Sequence, residues 1–194
     1  MQPIVILGGN TMKSLAYSAL ILGCVVAAPA FAALKTGDAA PDFTAQAAVG
    51  GKEFTFSLAD ALKKGPVVLY FFPKAFTSGC TVEAHEFAEA SAKFEAAGAT
   101  LIGMSSDNIG TLHDFSTKEC SAKFPVAADP DLKVIRSYDS VMVNVPLVGG
   151  VSDRVSYVIA PDGKIAYAYQ DSAPDKHVTN TLEMVEKMHA GEKH

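Results

Sequence analysis

The pattern of apolar and polar positions divides the chain into recognisable elements. PVVLYFF, residues 66–72, is a continuous apolar run closed by Pro73. That is the pattern of a strand covered on both faces and stopped where a backbone donor is lost. ATLIGMSS, residues 99–106, repeats it. Between the two, Val82, Phe87, Ala90 and Phe94 recur at near-helical spacing and Gly98 follows, so a helix is predicted over about residues 81–97. DFTAQA and KEFTFSL, joined across VGGK, predict an opening hairpin, and RVSYVIAPDGKIAYAYQ predicts a second one turning at Pro161, Asp162 and Gly163. A weaker helix is expected over 111–123, a short one over 132–138, and a final one carrying Val178, Leu182, Val185 and Met188 on one face. DSVMVNVPLVGGVSD, residues 139–153, reads as a loop of about fifteen residues, long enough for a functional rim. The order describes an α/β domain with a mixed sheet and helices on both faces.

Composition supports one domain. The chain has 194 residues, of which 49% are hydrophobic and 19% charged, enough apolar material for a single core. The formal charge of −5, without a basic cluster, argues against nucleic acid or an anionic membrane as the main partner. Residues 1–32 read as a signal peptide: Lys13 precedes an apolar stretch, and Ala30, Phe31 and Ala32 offer small residues to a signal peptidase. MKSLAYS at Met12 would itself open such a peptide. The expectation is an exported protein, periplasmic or secreted, whose mature domain spans 33–194 with a charge of −6 and no stable membrane association. A membrane anchor and lipidation at Cys24 are the rival readings.

Cleavage would leave two cysteines, Cys80 and Cys120. In an exported protein the plain reading is a structural disulfide, contributing about 4 kcal/mol for such a loop. The context of Cys80 points elsewhere. It follows a strand and lies in the first turn of a predicted helix, where unpaired N–H groups and the helix dipole favour a thiolate. Thr77 brings a hydroxyl to the same place, and Gly79 permits close approach of the backbone.

Pro73, Thr77, Cys80 and Glu83 spell PxxxTxxCxxE, which resembles the active-site signature of the peroxiredoxins. YFFPKAFTSGCTVEA, FPVAADPDLKV and RVSYVIAPDGKI are similar to the bacterioferritin comigratory protein, or Q-type, branch, and the resemblance runs from about Leu34 to Met188. It implies a thioredoxin-like fold and reduction of hydrogen peroxide or organic hydroperoxides by thiols. On the matching positions it makes Cys80 the peroxidatic nucleophile, Thr77 a hydrogen-bond partner, Pro73 a shielding wall and Glu83 a supporting residue. Arg154, opening RVSYVI, matches the family's arginine. Arg136, the other arginine, does not, and reads as a surface residue. A free cysteine is only about 3% thiolate at neutral pH, so ionisation alone gains about thirtyfold; the rest must come from aligning the peroxide and stabilising the departing oxygen.

The pattern also departs from the family. Many members of the branch carry a resolving cysteine five residues after the first, and here that position is His85. His85 points about 140° around the helix from Cys80 and reads as an exposed or half-buried polar residue. Cys120 is then the internal candidate for resolving the sulfenic acid, as in some Q-type relatives; the alternative is an inert Cys120 and an outside thiol. Disulfide exchange of the thioredoxin type would want CxxC, which is absent. A non-catalytic binding module clamped by a Cys80–Cys120 disulfide remains as an alternative from another class, although a clamp needs neither Thr77 nor Arg154. His113, His177, His189 and His194 show no ligand spacing, so no metal or cofactor is expected. The expected partners are a peroxide and a thiol or dithiol reductant protein, and the expected state is a monomer or weak dimer.

Overall fold

A computed structural model describes residues 33–145 and 149–191. The expected signal peptide, with Met12 and Cys24, lies outside the described residues. The chain runs β1 (Thr44–Val49), β2 (Lys52–Ser57), α1 (Leu58–Leu62), β3 (Val67–Phe71), α2 (Ser78–Ala96), β4 (Thr100–Ser105), α3 (Ile109–Lys118) and β5 (Val126–Ala128). It continues with α4 (Lys133–Ser137), β6 (Val141–Val145), β7 (Gly149–Ser152), β8 (Val155–Ile159), β9 (Ile165–Gln170) and α5 (His177–Gly191).

Seven strands form one mixed sheet in the order β2-β1-β5-β4-β3-β8-β9, with β3, β4 and β5 parallel and the outer strands antiparallel. The predicted opening hairpin is β1–β2. Gly50 and Gly51 both take positive φ, 55° and 72°, as a two-residue turn matched to strand twist requires.

Every residue of β3 is buried, as its continuous apolar run predicts. Val68, Tyr70 and Phe72 join one core cluster with Phe87 and Phe94 of α2, Leu112 and Phe115 of α3, and Val185 of α5. Val67, Leu69 and Phe71 join a second cluster with Leu58 of α1 and Ile135 of α4. The period-two alternation of β3 thus supplies both cores. Tyr70 stacks on Phe87 at a centroid distance of 4.3 Å. It also fills the space over Gly103 of β4, where a Cβ would lie 2.7 Å from the ring.

Three expectations change. α2 begins at Ser78 rather than near 81, which makes Cys80 its third residue. α3 ends at Lys118 and leaves Cys120 in the turn beyond it, because Ser121 and Ala122 take positive φ and cannot continue the helix. The loop expected over 139–153 contains the β6–β7 hairpin: Val141, Met142 and Val143 follow the strand propensity of their side chains, and Val145 pairs with Gly149. Helix α1 was not expected. Ser57 starts it by accepting the Asp60 N–H at 3.2 Å.

Candidate active site

Cys80 owes its position to the segment between β3 and α2. Ser152 Oγ donates to the Phe72 carbonyl at 2.7 Å and fixes the end of the strand before Pro73, which is half-buried. The buried Asp107 carboxylate accepts from the Ala75 N–H at 2.7 Å, from Ser105 Oγ at 3.0 Å and from Lys74 Nζ at 3.1 Å. Phe76 then takes φ 62°, the left-handed conformation that turns the chain into α2. Thr77 occupies the N-cap position, but its hydroxyl donates to the Lys74 carbonyl at 2.9 Å instead of capping the helix. That bond leaves the oxygen with acceptor capacity beside the first turn.

Arg154 arrives from the other side of β3. The register pairs Phe71 with Val155, so Arg154, one residue before β8, stands at the end of the sheet where the Pro73 segment departs. Residues 74 positions apart meet because antiparallel pairing returns the chain to that end. Arg154 Nη2 donates to Cys80 Sγ at 3.4 Å, and Nη1 donates to Glu83 Oε2. Nε donates to the Ser172 carbonyl at 3.0 Å. Cys80 and Glu83 are three residues apart and share one face of α2, so a single forked guanidinium reaches both. A Cβ on Gly79 would lie 3.2 Å from Nη2, which gives that glycine a steric reason.

Cys80 is 1% exposed, Glu83 fully buried and Arg154 5% exposed. Burial pushes the Glu83 carboxyl up to about 8 against the opposing pull of Arg154. The structure therefore brings together Cys80, Glu83 and Arg154, with Thr77 and Pro73 on the segment leading to them. Cys120 lies in the same core cluster as Cys80 but is fully buried, and that burial, with nearby Glu119, pushes its thiol up. Both cysteines are free thiols. Arg136 is exposed and donates to the Asp131 carbonyl at 3.1 Å, away from the site.

Two histidines acquire roles that their spacing did not suggest. His85 is exposed, but its Nε2 lies 2.9 Å from Glu119 Oε2, which ties α2 to the residue beside Cys120. His177 is fully buried at the start of α5, 3.8 Å from Glu83 Oε1. The signal was faint: His177, Thr181 and Val185 occupy one helical stripe at i, i+4 and i+8, and two polar letters conceal a buried face. Asp107 gave no local signal, since its role depends on a segment more than thirty residues away. Among the described residues no group of three His, Cys, Asp or Glu side chains could hold a metal ion.

This geometry matches known proteins along most of the chain. The AhpC/TSA family matches residues 36–168. Chloroplastic peroxiredoxin Q of Oryza sativa subsp. japonica is 33% identical over 153 residues, covering 78% of this chain and 67% of its own. Chloroplastic peroxiredoxin Q of Arabidopsis thaliana is 31% identical over 178 residues, covering 91% and 79%. Among solved structures, peroxidoxin BcpB from Mycobacterium tuberculosis superposes with a TM-score of 0.71 at 26% identity, covering 80% of this chain and 98% of its own. The clamped, non-catalytic module is thereby set aside. The chain belongs to the AhpC/TSA family, in its peroxiredoxin Q branch, and is a thiol-dependent peroxidase of thioredoxin-like fold.

Proposed function

We propose that Cys80 is the peroxidatic residue, and that Arg154, Thr77 and the first-turn N–H groups of α2 hold the peroxide in line with its sulfur. The observation that carries this reading is the Arg154 Nη2 contact to Cys80 Sγ at 3.4 Å, at a helix N-terminus. The thiolate attacks one peroxide oxygen and the O–O bond breaks. Cys80 becomes sulfenic acid, and the other oxygen leaves as water or an alcohol after taking a proton. Pro73 borders the thiol, and Glu83 fixes the second arm of the guanidinium.

In the same proposal Cys120 attacks the sulfenic sulfur, expels water and leaves a disulfide for an outside dithiol to reduce. Both thiols are buried, so the first turn of α2 must open for this step. The burial of Cys120 also favours a second reading, in which an external thiol resolves Cys80 directly. Export is a further part of the proposal: the Lys13 to Ala32 pattern supports cleavage before Ala33 and a periplasmic or secreted protein, and an internal disulfide is compatible with a monomer or weak dimer.

Stopped-flow consumption of hydrogen peroxide tests the core of this reading. Reduced wild type should give a burst and Cys80→Ser none; an unchanged burst in the variant removes Cys80 from its role. Intact mass after one equivalent of peroxide tests the resolving step. A loss of two hydrogens supports Cys120, whereas a persisting gain of one oxygen, which a second equivalent carries on to sulfinic acid, assigns resolution to an outside thiol.

A further inference from the structure

Behind Arg154 lies a buried polar group that the peroxidase chemistry leaves unused. Glu83 Oε2 accepts from Arg154, but Oε1 is buried with no hydrogen-bond partner. Such an orphan is costly and calls for an explanation. The nearest candidate is His177 Nδ1 at 3.8 Å, and both side chains are fully enclosed. His177 Nε2 lies 3.0 Å from the Asp171 carbonyl, which can only accept, so Nε2 carries a proton. In the neutral ring Nδ1 is then an acceptor, and Ser156 Oγ, at 2.8 Å, donates to it.

Charge counting gives this arrangement a purpose. Arg154 is a single cation touching two acids, the Cys80 thiol and the Glu83 carboxyl. If both were anionic, the buried site would carry an uncompensated charge. A proton kept on the Glu83 side leaves the guanidinium to the sulfur. We propose that the neutral His177, with its Nδ1 lone pair engaged by Ser156 and its Nε2 proton given to Asp171, offers Glu83 Oε1 no donor, so that the buried carboxyl keeps its proton and His177 is thereby a positioning residue that keeps the Arg154 charge on Cys80. Burial raises the carboxyl and lowers the imidazole, so near neutrality the proton stays on Glu83 and the ring stays neutral.

The other charged or titratable groups around the pair do not supply a replacement. Asp171, in the segment after β9, accepts from the Ala173 N–H at 2.9 Å and lies beside Tyr169 Oη at 3.3 Å. Asp153, before β8, accepts from the Arg154 N–H at 2.8 Å and from Gln170 Nε2 at 2.5 Å. Glu86 of α2 adds a further negative charge facing Glu83, and Tyr169 packs its ring edge-on to His177. Lys176, one residue before His177, bears on Asp171, and the cation acting on Glu83 is Arg154.

The proposal rests on Cys80 being the attacking thiolate, and its test reads a different quantity. The rate of iodoacetamide alkylation at Cys80, followed by peptide mass, is measured against pH. His177→Gln keeps a donor for the Asp171 carbonyl and brings a second N–H that Glu83 Oε1 can accept, so Glu83 ionises more readily and competes for Arg154. The half-maximal pH should rise, with alkylation at pH 6 falling about tenfold for a displacement of one unit. In a Glu83→Gln background the same substitution should have no further effect. Ser156→Ala frees the Nδ1 lone pair for the carboxyl proton and should move the half-maximal pH down. This opposite sign separates the withheld donor from general loosening. A half-maximal pH unmoved by His177→Gln, an equal displacement in the Glu83→Gln background, or a Ser156→Ala value at or above wild type overturns the proposal. Failure of the wild type to consume peroxide counts instead against the role of Cys80.

Discussion

Arg154 holds its place through shape as much as charge. Its three nitrogens go to the Cys80 sulfur, the Glu83 carboxyl and the Ser172 carbonyl. Lysine offers a point charge that cannot span those directions. Arg154→Lys should lower kcat/KM for hydrogen peroxide about a hundredfold to a thousandfold with an unchanged circular dichroism spectrum; a loss below tenfold would reduce Arg154 to a generic cation. Glu83 makes a prediction about stability. Its carboxyl is raised from 4.5 to about 8, so the folded state binds that proton more tightly than the unfolded chain. The resulting stabilisation is complete below about 4.5 and disappears as pH rises through about 8. Glu83→Gln, permanently neutral, should therefore gain in urea midpoint relative to wild type between pH 5 and pH 8.5. Equal midpoint differences at both pH values would contradict the raised carboxyl.

At the scale of elements, α2 carries the chemistry and α3 ends beside the second thiol. The His85 to Glu119 pair joins them, and its members are 52% and 20% exposed, so it contributes about 0.2–1 kcal/mol. His85→Ala should consequently ease the local opening that brings Cys80 to Cys120. Disulfide formation after peroxide addition should then accelerate by about fivefold at most, measured by quenched-flow alkylation. Glu119→Ala should accelerate it at least as much, since it also removes a charge that raises the Cys120 thiol, and the double variant should be no faster than Glu119→Ala alone. Slower disulfide formation would show that the pair assists the encounter instead. The sequence made α2 legible because its apolar spacing, Gly98 stop and Cys80 position are local features. The β6–β7 hairpin escaped because the chain there carries Asn144, Pro146 and two glycines, letters that read as loop until Val145 and Gly149 pair. Likewise, α1 spans only five residues, too few for a period to declare itself.

Across the whole molecule, the sheet order was not legible although most of its strands were. Placing Arg154 beside Cys80 depends on β8 pairing antiparallel to β3, a non-local choice that no short window encodes. The family motif supplied the pairing of roles, and the register supplied the physical reason. One core residue remains imperfect: Tyr70 is 1% exposed, and its hydroxyl is buried without a partner while the ring packs against Phe87, Phe72 and Phe124. Tyr70→Phe keeps the packing and removes the unpaired group, so it should stabilise the protein by about 1 kcal/mol in urea unfolding. Destabilisation would reveal a partner for that hydroxyl.

The attachment of Arg154 to Ser172 has a consequence for the order in which the protein matures. Ser172 lies beyond β9 and His177 opens α5, so the guanidinium has its third anchor, and Glu83 its imidazole neighbour, only once the C-terminal segment has packed. The setting of the thiol is thereby tied to completion of the fold.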